Sequence, residues 1–290
     1  MHTTTPKTTA GERLAAGLED ASPVCVGLDP VATRLPAAID GSDPVEAIER
    51  FSNGVLDAVA GVVPCVKIQA ACFERYGHLG VAAMERVITR ATDTGFVVIL
   101  DAKRGDIGIS ATHYAAGAAA TGADWITLNG YLGEDGVTPF LDAGLGVFVL
   151  VRTSNPSGDE IQAPACGGGT VAGLVASMVD RLGRAGGRTG PVSVGAVVGA
   201  TKPEAAAALR ATMPEAPFLL PGYGAQGGGA DGVRAALDGR GGGVLVTASR
   251  SIIHAFVDRP GDWQAAVNTA AVDFAGEIRG IVDDAGEVAG

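Results

Sequence analysis

Val97-Val98-Ile99-Leu100-Asp101-Ala102-Lys103-Arg104-Gly105-Asp106-Ile107 opens with four aliphatic residues in a row and then breaks into closely spaced charge. A continuous apolar run without polar alternation is the pattern of a parallel strand buried on both faces. With 97–101 taken as one such run, seven more lie at 24–29, 62–67, 125–128, 147–151, 192–198, 218–220 and 244–247. Between them, 44–60, 79–94, 110–122, 169–183 and 203–212 carry apolar residues at helical spacing, as Val45, Ile48, Val55, Leu56 and Val59 do in the first. This alternation predicts an α/β fold, a (β/α)8 TIM barrel in one domain covering 1–290. A doubly wound open sheet is the other arrangement of the same elements. Two connections are too long for ordinary loops: 152–169, and 221–229 with five glycines in nine residues. Such segments carry function or move. The ends, 1–10 and 283–290, are expected to fray.

Composition removes several classes of function. The chain has 290 residues, 47% of them hydrophobic and 18% charged, which is a folded rather than a disordered composition. A net charge of −11 disfavours a nucleic-acid partner. No apolar run reaches the roughly 20 residues of a membrane helix, and Met1–Ala10 lacks the apolar core of a signal peptide, so a cytoplasmic enzyme is expected. Cys25, Cys65, Cys72 and Cys166 form no CxxC pair and are expected to be small buried hydrophobes. His2, His78, His113 and His254 show no metal spacing and are expected at the surface or hydrogen-bonded, so neither metal nor cofactor is expected. There is no Walker A motif. Gly222-x-Gly224-x-x-Gly227 has the letters of a dinucleotide fingerprint but follows the seventh run, not the first.

The chemistry collects at strand ends. Active sites of these barrels lie at the C-terminal ends of the strands. Asp29 ends the first run, Lys67 the second and Asp101 the third, with Lys103 and Asp106 just beyond. The chain has only four lysines, and two fall here. One ion pair would be ordinary structure; five alternating charges at three successive strand ends point to function. The glycine-rich loop 221–229 and Ser249-Arg250 follow the seventh and eighth runs, the usual phosphate position of the fold. There Arg250 could grip a phosphate bidentately, with Gln226 as a further donor and a helix N-terminus behind. Glycine abundance makes an ordinary flexible loop the competing reading. Ser154, after the fifth run, could hydrogen-bond a ligand, although its loop has plain turn chemistry.

These residues together resemble a known family. Asp101-Ala102-Lys103-Arg104-Gly105-Asp106-Ile107 resembles the DxKxxDI signature of the orotidine 5′-monophosphate decarboxylase family. Gly27-Leu28-Asp29, Val66-Lys67, Ser154-Asn155-Pro156, Pro221–Gly228 and Ser249-Arg250 are similar to its other motifs, in the same order. The extended segment after the fifth run looks like the longer bacterial branch. The resemblance implies decarboxylation of orotidine 5′-monophosphate to UMP and CO2. It implies Lys103 as proton donor to C6, Asp101 beside the substrate carboxylate, and Lys67 and Asp106 completing the charge network. It implies a homodimer in which Asp106 and Ile107 come from the partner chain. Asp29 and Lys67 would contact the ribose, Ser154 the pyrimidine, and Pro221 its pocket, while Gln226, Tyr223 and Arg250 would hold the phosphate. Ser110 stands where the family often has Thr and could still reach the ribose from the partner. Asn129-Gly130-Tyr131 departs from the branch's Asn-Pro-Tyr.

Three rivals remain at this stage. A metal-dependent sugar-phosphate lyase or synthase of the same superfamily shares the DxKxxD core. A Schiff-base aldolase would use Lys103 as its nucleophile. A silent phosphate-binding module would need none of Asp101, Lys103 and Asp106.

Overall fold

The eight apolar runs become eight parallel strands because each is buried along nearly its whole length. In the structure, a computed structural model describing residues 8–39, 43–185, 191–224, 226–259 and 261–289, they are β1 (Val24–Leu28), β2 (Cys65–Gln69), β3 (Val97–Arg104), β4 (Trp125–Asn129), β5 (Gly146–Arg152), β6 (Val194–Val198), β7 (Phe218–Leu220) and β8 (Val244–Ala248). β1 pairs with both β2 and β8, so the sheet closes into a barrel in the order β1-β8-β7-β6-β5-β4-β3-β2. Closure leaves no edge strand and overturns the open-sheet alternative.

Strand parity divides the core in two. Val24, Val26, Leu28, Val66, Ile68, Val98, Leu100, Ile126 and Leu128 pack outward under the helices. Their neighbours Cys25, Cys65, Val97, Ile99, Trp125, Phe148, Val197, Leu219 and Leu245 fill the lower barrel interior. Trp125 and Phe148 stack there with ring centroids 4.5 Å apart. Continuing each strand on the inward parity reaches Lys67, Asp101 and Thr127, buried polar residues one layer higher. The barrel is therefore greasy at its base and charged at its mouth.

Several boundaries differ from the sequence expectation. β2 starts at Cys65, not 62, because the N–H groups of Val62 and Val63 close a turn onto the Val59 carbonyl and Pro64 intervenes. Lys67 is thus in mid-strand. β3 runs on to Arg104, so Asp101 and Lys103 lie within it. The helix expected from 169 is Val171–Arg184: the Thr170 hydroxyl accepts from Gly173 N–H as its cap, and Gly169–Thr170 pairs with Ala165–Cys166 as a short hairpin. The helix Gly108–Ala120 begins earlier than expected, which puts Ser110 in its first turn.

The chain ends also differ. Residues 1–7 lie outside the described residues, but Ala10 begins a helix, Ala10–Asp20, capped by a Thr9–Glu12 capping box. Ala10 and Leu14 plug the base of the barrel, and Trp125 Nε1 donates to the Ala10 carbonyl at 3.2 Å. At the other end, the helix Trp263–Ala289 runs through most of 283–290, the stretch expected to fray, with Phe274, Ile278 and Ile281 anchoring it in the core. Cys25 and Cys65 are buried as expected, whereas Cys166 is exposed. His254 stacks on Phe51, and its buried Nδ1 makes no hydrogen bond, unlike the satisfied histidine expected. His2 lies outside the described residues. Among the described residues no helix is long and apolar enough to cross a membrane.

Removing the largest side chain of the basal layer tests this packing. Trp125→Ala is expected to destabilise the barrel by about 3–5 kcal/mol, read as a lowered midpoint in urea unfolding. A midpoint within error of wild type would contradict the plugged-base description.

Candidate active site

The upper end of the barrel interior opens into a cavity of about 410 Å³. Its floor is set by one carboxylate. Asp101 Oδ1 accepts from Lys103 Nζ at 2.6 Å and from Thr127 Oγ1 at 2.9 Å. Asp101 Oδ2 accepts from Lys67 Nζ at 2.8 Å. With its amide nitrogen turned inward, Gln69 adds a donor to Oδ2, also at 2.8 Å. Lys67 Nζ also lies 3.6 Å from Asp29 Oδ1, an oxygen that is buried and makes no hydrogen bond within the protein. The array therefore runs Asp29–Lys67–Asp101–Lys103 across β1, β2 and β3, each charge next to its opposite.

Local backbone geometry aims Lys103. Among the described residues it is the one non-glycine with positive φ, at 45°. This left-handed conformation costs roughly 1–3 kcal/mol and persists only where its surroundings enforce it. Here Lys103 N–H donates to Thr127 Oγ1 at 2.9 Å while that hydroxyl donates to Asp101. The same kink shifts the register of β3 against β4 between Leu100 and Arg104.

The two lysines occupy different environments. The Lys67 side chain is 9% exposed and that of Lys103 is 47% exposed. Burial disfavours the Lys67 ammonium, but Asp29 and Asp101 outweigh it and hold its pKa above the usual lysine value. Burial likewise works against ionised Asp101, but the charges and hydrogen bonds of Lys67 and Lys103 prevail and bring its pKa down to about 2. Lys67 is thus a locked cation, whereas Lys103 reaches the cavity and water.

The other wall comes from the loops after β5, β7 and β8. Ser154, Pro221, Tyr223, Gln226 and Arg250 all line the cavity, as the sequence leads one to expect. The glycine-rich loop is a closed structure, not a slack one. Gly224 N–H donates to the Gly228 carbonyl, and Gly228 N–H to that of Gly222. Gly222 has φ 94°, and a Cβ there would sit 3.0 Å from Gln226 Oε1 and 3.3 Å from Ser154 Cβ, so glycine brings the two loops together. Ala225 lies outside the described residues. The helix behind Arg250 is one turn, Arg250–Ile253, so its dipole adds less than the sequence suggests. Tyr223 lines the cavity, but its hydroxyl donates to Glu277 Oε1 at 2.6 Å, and burial with that carboxylate raises its pKa to about 12.

Three expected residues lie elsewhere in this chain. Asp106 accepts from its neighbour Ile107 N–H at 2.8 Å and does not line the cavity. Ile107, exposed at the start of the helix Gly108–Ala120, and Ser110, in its first turn, do not line it either. Conversely, Gln69, Thr127 and Thr247 line the cavity and were not singled out from the sequence. For the first two a signal exists: Gln69 lies two residues beyond Lys67, and Thr127 two beyond Trp125, both on the inward parity.

A closed (β/α)8 barrel with a charged cavity at the C-terminal ends of its strands has the layout of a barrel enzyme. The sequence model of the Orotidine 5'-phosphate decarboxylase / HUMPS family matches residues 22–261. A curated orotidine 5'-phosphate decarboxylase from Rhodopirellula baltica is 41% identical over 293 residues, covering 92% of this chain and 97% of that protein. One from Streptomyces coelicolor is 37% identical, covering 93% and 96%. The solved OMP decarboxylase of Leishmania donovani superposes with a TM-score of 0.80 at 30% identity, over 95% of this chain and 99% of that one. The chain belongs to the orotidine 5′-phosphate decarboxylase family.

The electrostatics predict an acid-dependent contribution to stability. The folded pKa of Asp101, about 2, lies below the unfolded value of about 3.9. Its pairing therefore stabilises the fold above about pH 5 and is lost as pH falls from about 4 towards 2, by about 2 kcal/mol in all. The stability gap between wild type and Asp101→Asn in urea unfolding is expected to narrow across that window. A gap independent of pH would contradict the assignment.

Proposed function

We infer that this chain decarboxylates orotidine 5′-monophosphate to UMP and CO2, the closing step of de novo pyrimidine nucleotide synthesis. It is a carboxy-lyase. The observation that carries the reading is the Lys67–Asp101–Lys103 array facing, across one cavity, Ser154, Gln226 and Arg250. The relatives named above agree with it. The mechanism follows from charge placement. When the bond between C6 and the carboxylate breaks, its electron pair stays on C6 and CO2 departs. The vinylic carbanion has no electron sink within the ring, so an adjacent ammonium must stabilise it. Lys103 supplies that charge and transfers an Nζ proton to C6, giving UMP. Its exposure to the cavity lets water restore the proton. Asp101 holds Lys103 in place and lies beside the departing carboxylate.

The remaining roles complete the reading. Asp29 Oδ1, buried and without a hydrogen bond, accepts from a ribose hydroxyl, with Lys67 alongside. Ser154 contacts the pyrimidine and Pro221 lines its pocket. Gln226 and Arg250 hold the phosphate. Tyr223 joins them once its hydroxyl exchanges Glu277 for the phosphate. Phosphate binding energy, spent far from C6, orders these loops and excludes water. No metal or organic cofactor takes part in these steps. The chain acts as one barrel domain, and we place it in the cytoplasm with its dissolved nucleotide substrate.

We further propose a homodimer. Ile107 and Ile109 are 57% and 74% exposed beside Asp106, and Tyr131 is 76% exposed nearby in sequence to β4. Large apolar side chains exposed in a group ask for a partner surface. A second copy covers them and inserts Asp106 and Ile107 beside the array, with Ser110 near the ribose.

The first experiment is the ultraviolet absorbance change on adding orotidine 5′-monophosphate to the purified chain with EDTA present. Conversion to UMP is expected. Lys103→Ala is expected to abolish turnover while UMP still binds; near-normal turnover would sink the proton-donor role. Lys103→Ala and Asp106→Ala chains, each inactive alone, are expected to regain turnover when unfolded and refolded together, because one site of the mixed dimer is complete. No recovery would count against the shared site.

A further inference from the structure

The segment after β5 contains a clamp that the reaction scheme above does not use. Arg152 ends β5 with its side chain only 8% exposed, so its charge must be matched close by. Asp159 lies 2.8 Å from one guanidinium nitrogen, and Gln162 Oε1 accepts from the other at 3.2 Å. Lys202, from the loop after β6, also pairs with Asp159. The hydrogen bonds from Lys202 and then Arg152 hold the Asp159 carboxyl below the usual range, so it stays charged near neutrality.

The same groups hold the cavity wall. Gln162 Oε1 also accepts from Thr153 N–H at 2.9 Å, and Gln162 Nε2 donates to Thr153 Oγ1 at 2.9 Å. Thr153 Oγ1 in turn donates to Asn155 Oδ1 at 2.6 Å. A Cβ on Gly158 would lie 2.7 Å from Thr153 Oγ1, so the turn carrying Asp159 and Gln162 packs directly on these residues. Thr153, Ser154 and Asn155 all line the cavity. The stretch 152–162 is thus folded back and tied at both ends.

We propose that Asp159, through buried Arg152, and Gln162, by its direct bonds to Thr153, are positioning residues that fix the Thr153–Asn155 wall and so set how tightly the site holds the ring of its ligand. Neither residue touches the reacting atoms. They act through Ser154, and the inference rests on the nucleotide reading of the site. Gln226 and Arg250, the residues placed on the phosphate, lie on the loops after β7 and β8 and are not among the clamp's partners. Loosening the clamp therefore weakens recognition of the pyrimidine and leaves recognition of the phosphate alone.

The test compares two ligands on the full chain. Affinities for UMP and for ribose 5-phosphate are measured by calorimetry for wild type, Asp159→Asn, Gln162→Leu and Asp159→Glu, with kcat and KM for orotidine 5′-monophosphate. Asp159→Asn removes the charge facing Arg152 and Lys202, and Gln162→Leu the bonds to Arg152 and Thr153; each is expected to lose about tenfold in UMP affinity and to raise KM similarly. Ribose 5-phosphate affinity and kcat are expected to stay within about twofold. Asp159→Glu is expected to restore most of the loss. Equal weakening of both ligands, or no change in either, would overturn the proposal. Wild-type turnover checks the nucleotide reading separately.

Discussion

The Asp101 carboxylate is the contact on which this site is built. It takes four donors from three strands: Lys103 on its own strand, Lys67 and Gln69 on β2, and Thr127 on β4. Ionised carboxylates are costly inside a barrel unless paired and hydrogen-bonded. Asp101 meets that condition fully, which is why its pKa falls although burial acts to raise it. The same bonds pin both lysines. The strained backbone at Lys103 is part of this arrangement, since Thr127 holds the Lys103 N–H and the Asp101 carboxylate with one hydroxyl.

A fixed charge array needs a rigid base, and the inward layer of Cys25, Cys65, Val97, Ile99, Trp125 and Phe148 provides it. Dense apolar packing there leaves the strands little freedom to shift against one another. The N-terminal helix seals the base from water through Ala10 and Leu14. Stability and chemistry are thus stacked along one axis, with hydrophobic burial below and paired charge above.

The opposite wall is made of loops, and loops need their own fastenings. The glycine-rich loop closes on itself by backbone hydrogen bonds, while the segment after β5 is held by side-chain pairs around Arg152. One part of this wall is therefore set by backbone conformation and another by charge. The two meet where Gly222 lets Ser154 approach.

Sequence alone determined the fold class and most of the site. Continuous apolar runs force strands buried on both faces, and charges at the ends of such runs have few places to go but the barrel mouth. Asp29, Lys67, Asp101, Lys103, Ser154, Pro221, Tyr223, Gln226 and Arg250 indeed share one cavity. Tertiary structure decided the rest. Thr127 and Gln69 gain meaning only when three strands bring them to one carboxylate. The terminal helices were not singled out, although Thr9 and Glu12 spell a capping box ahead of the first; what anchors both is packing against the barrel through Ala10, Leu14, Phe274, Ile278 and Ile281. Tyr223 shows the same limit, since Glu277, which takes its hydroxyl, lies 54 residues away in the chain. Local pattern fixes which residues face inward; which of them meet depends on register and closure, and those are set by contacts distant in sequence.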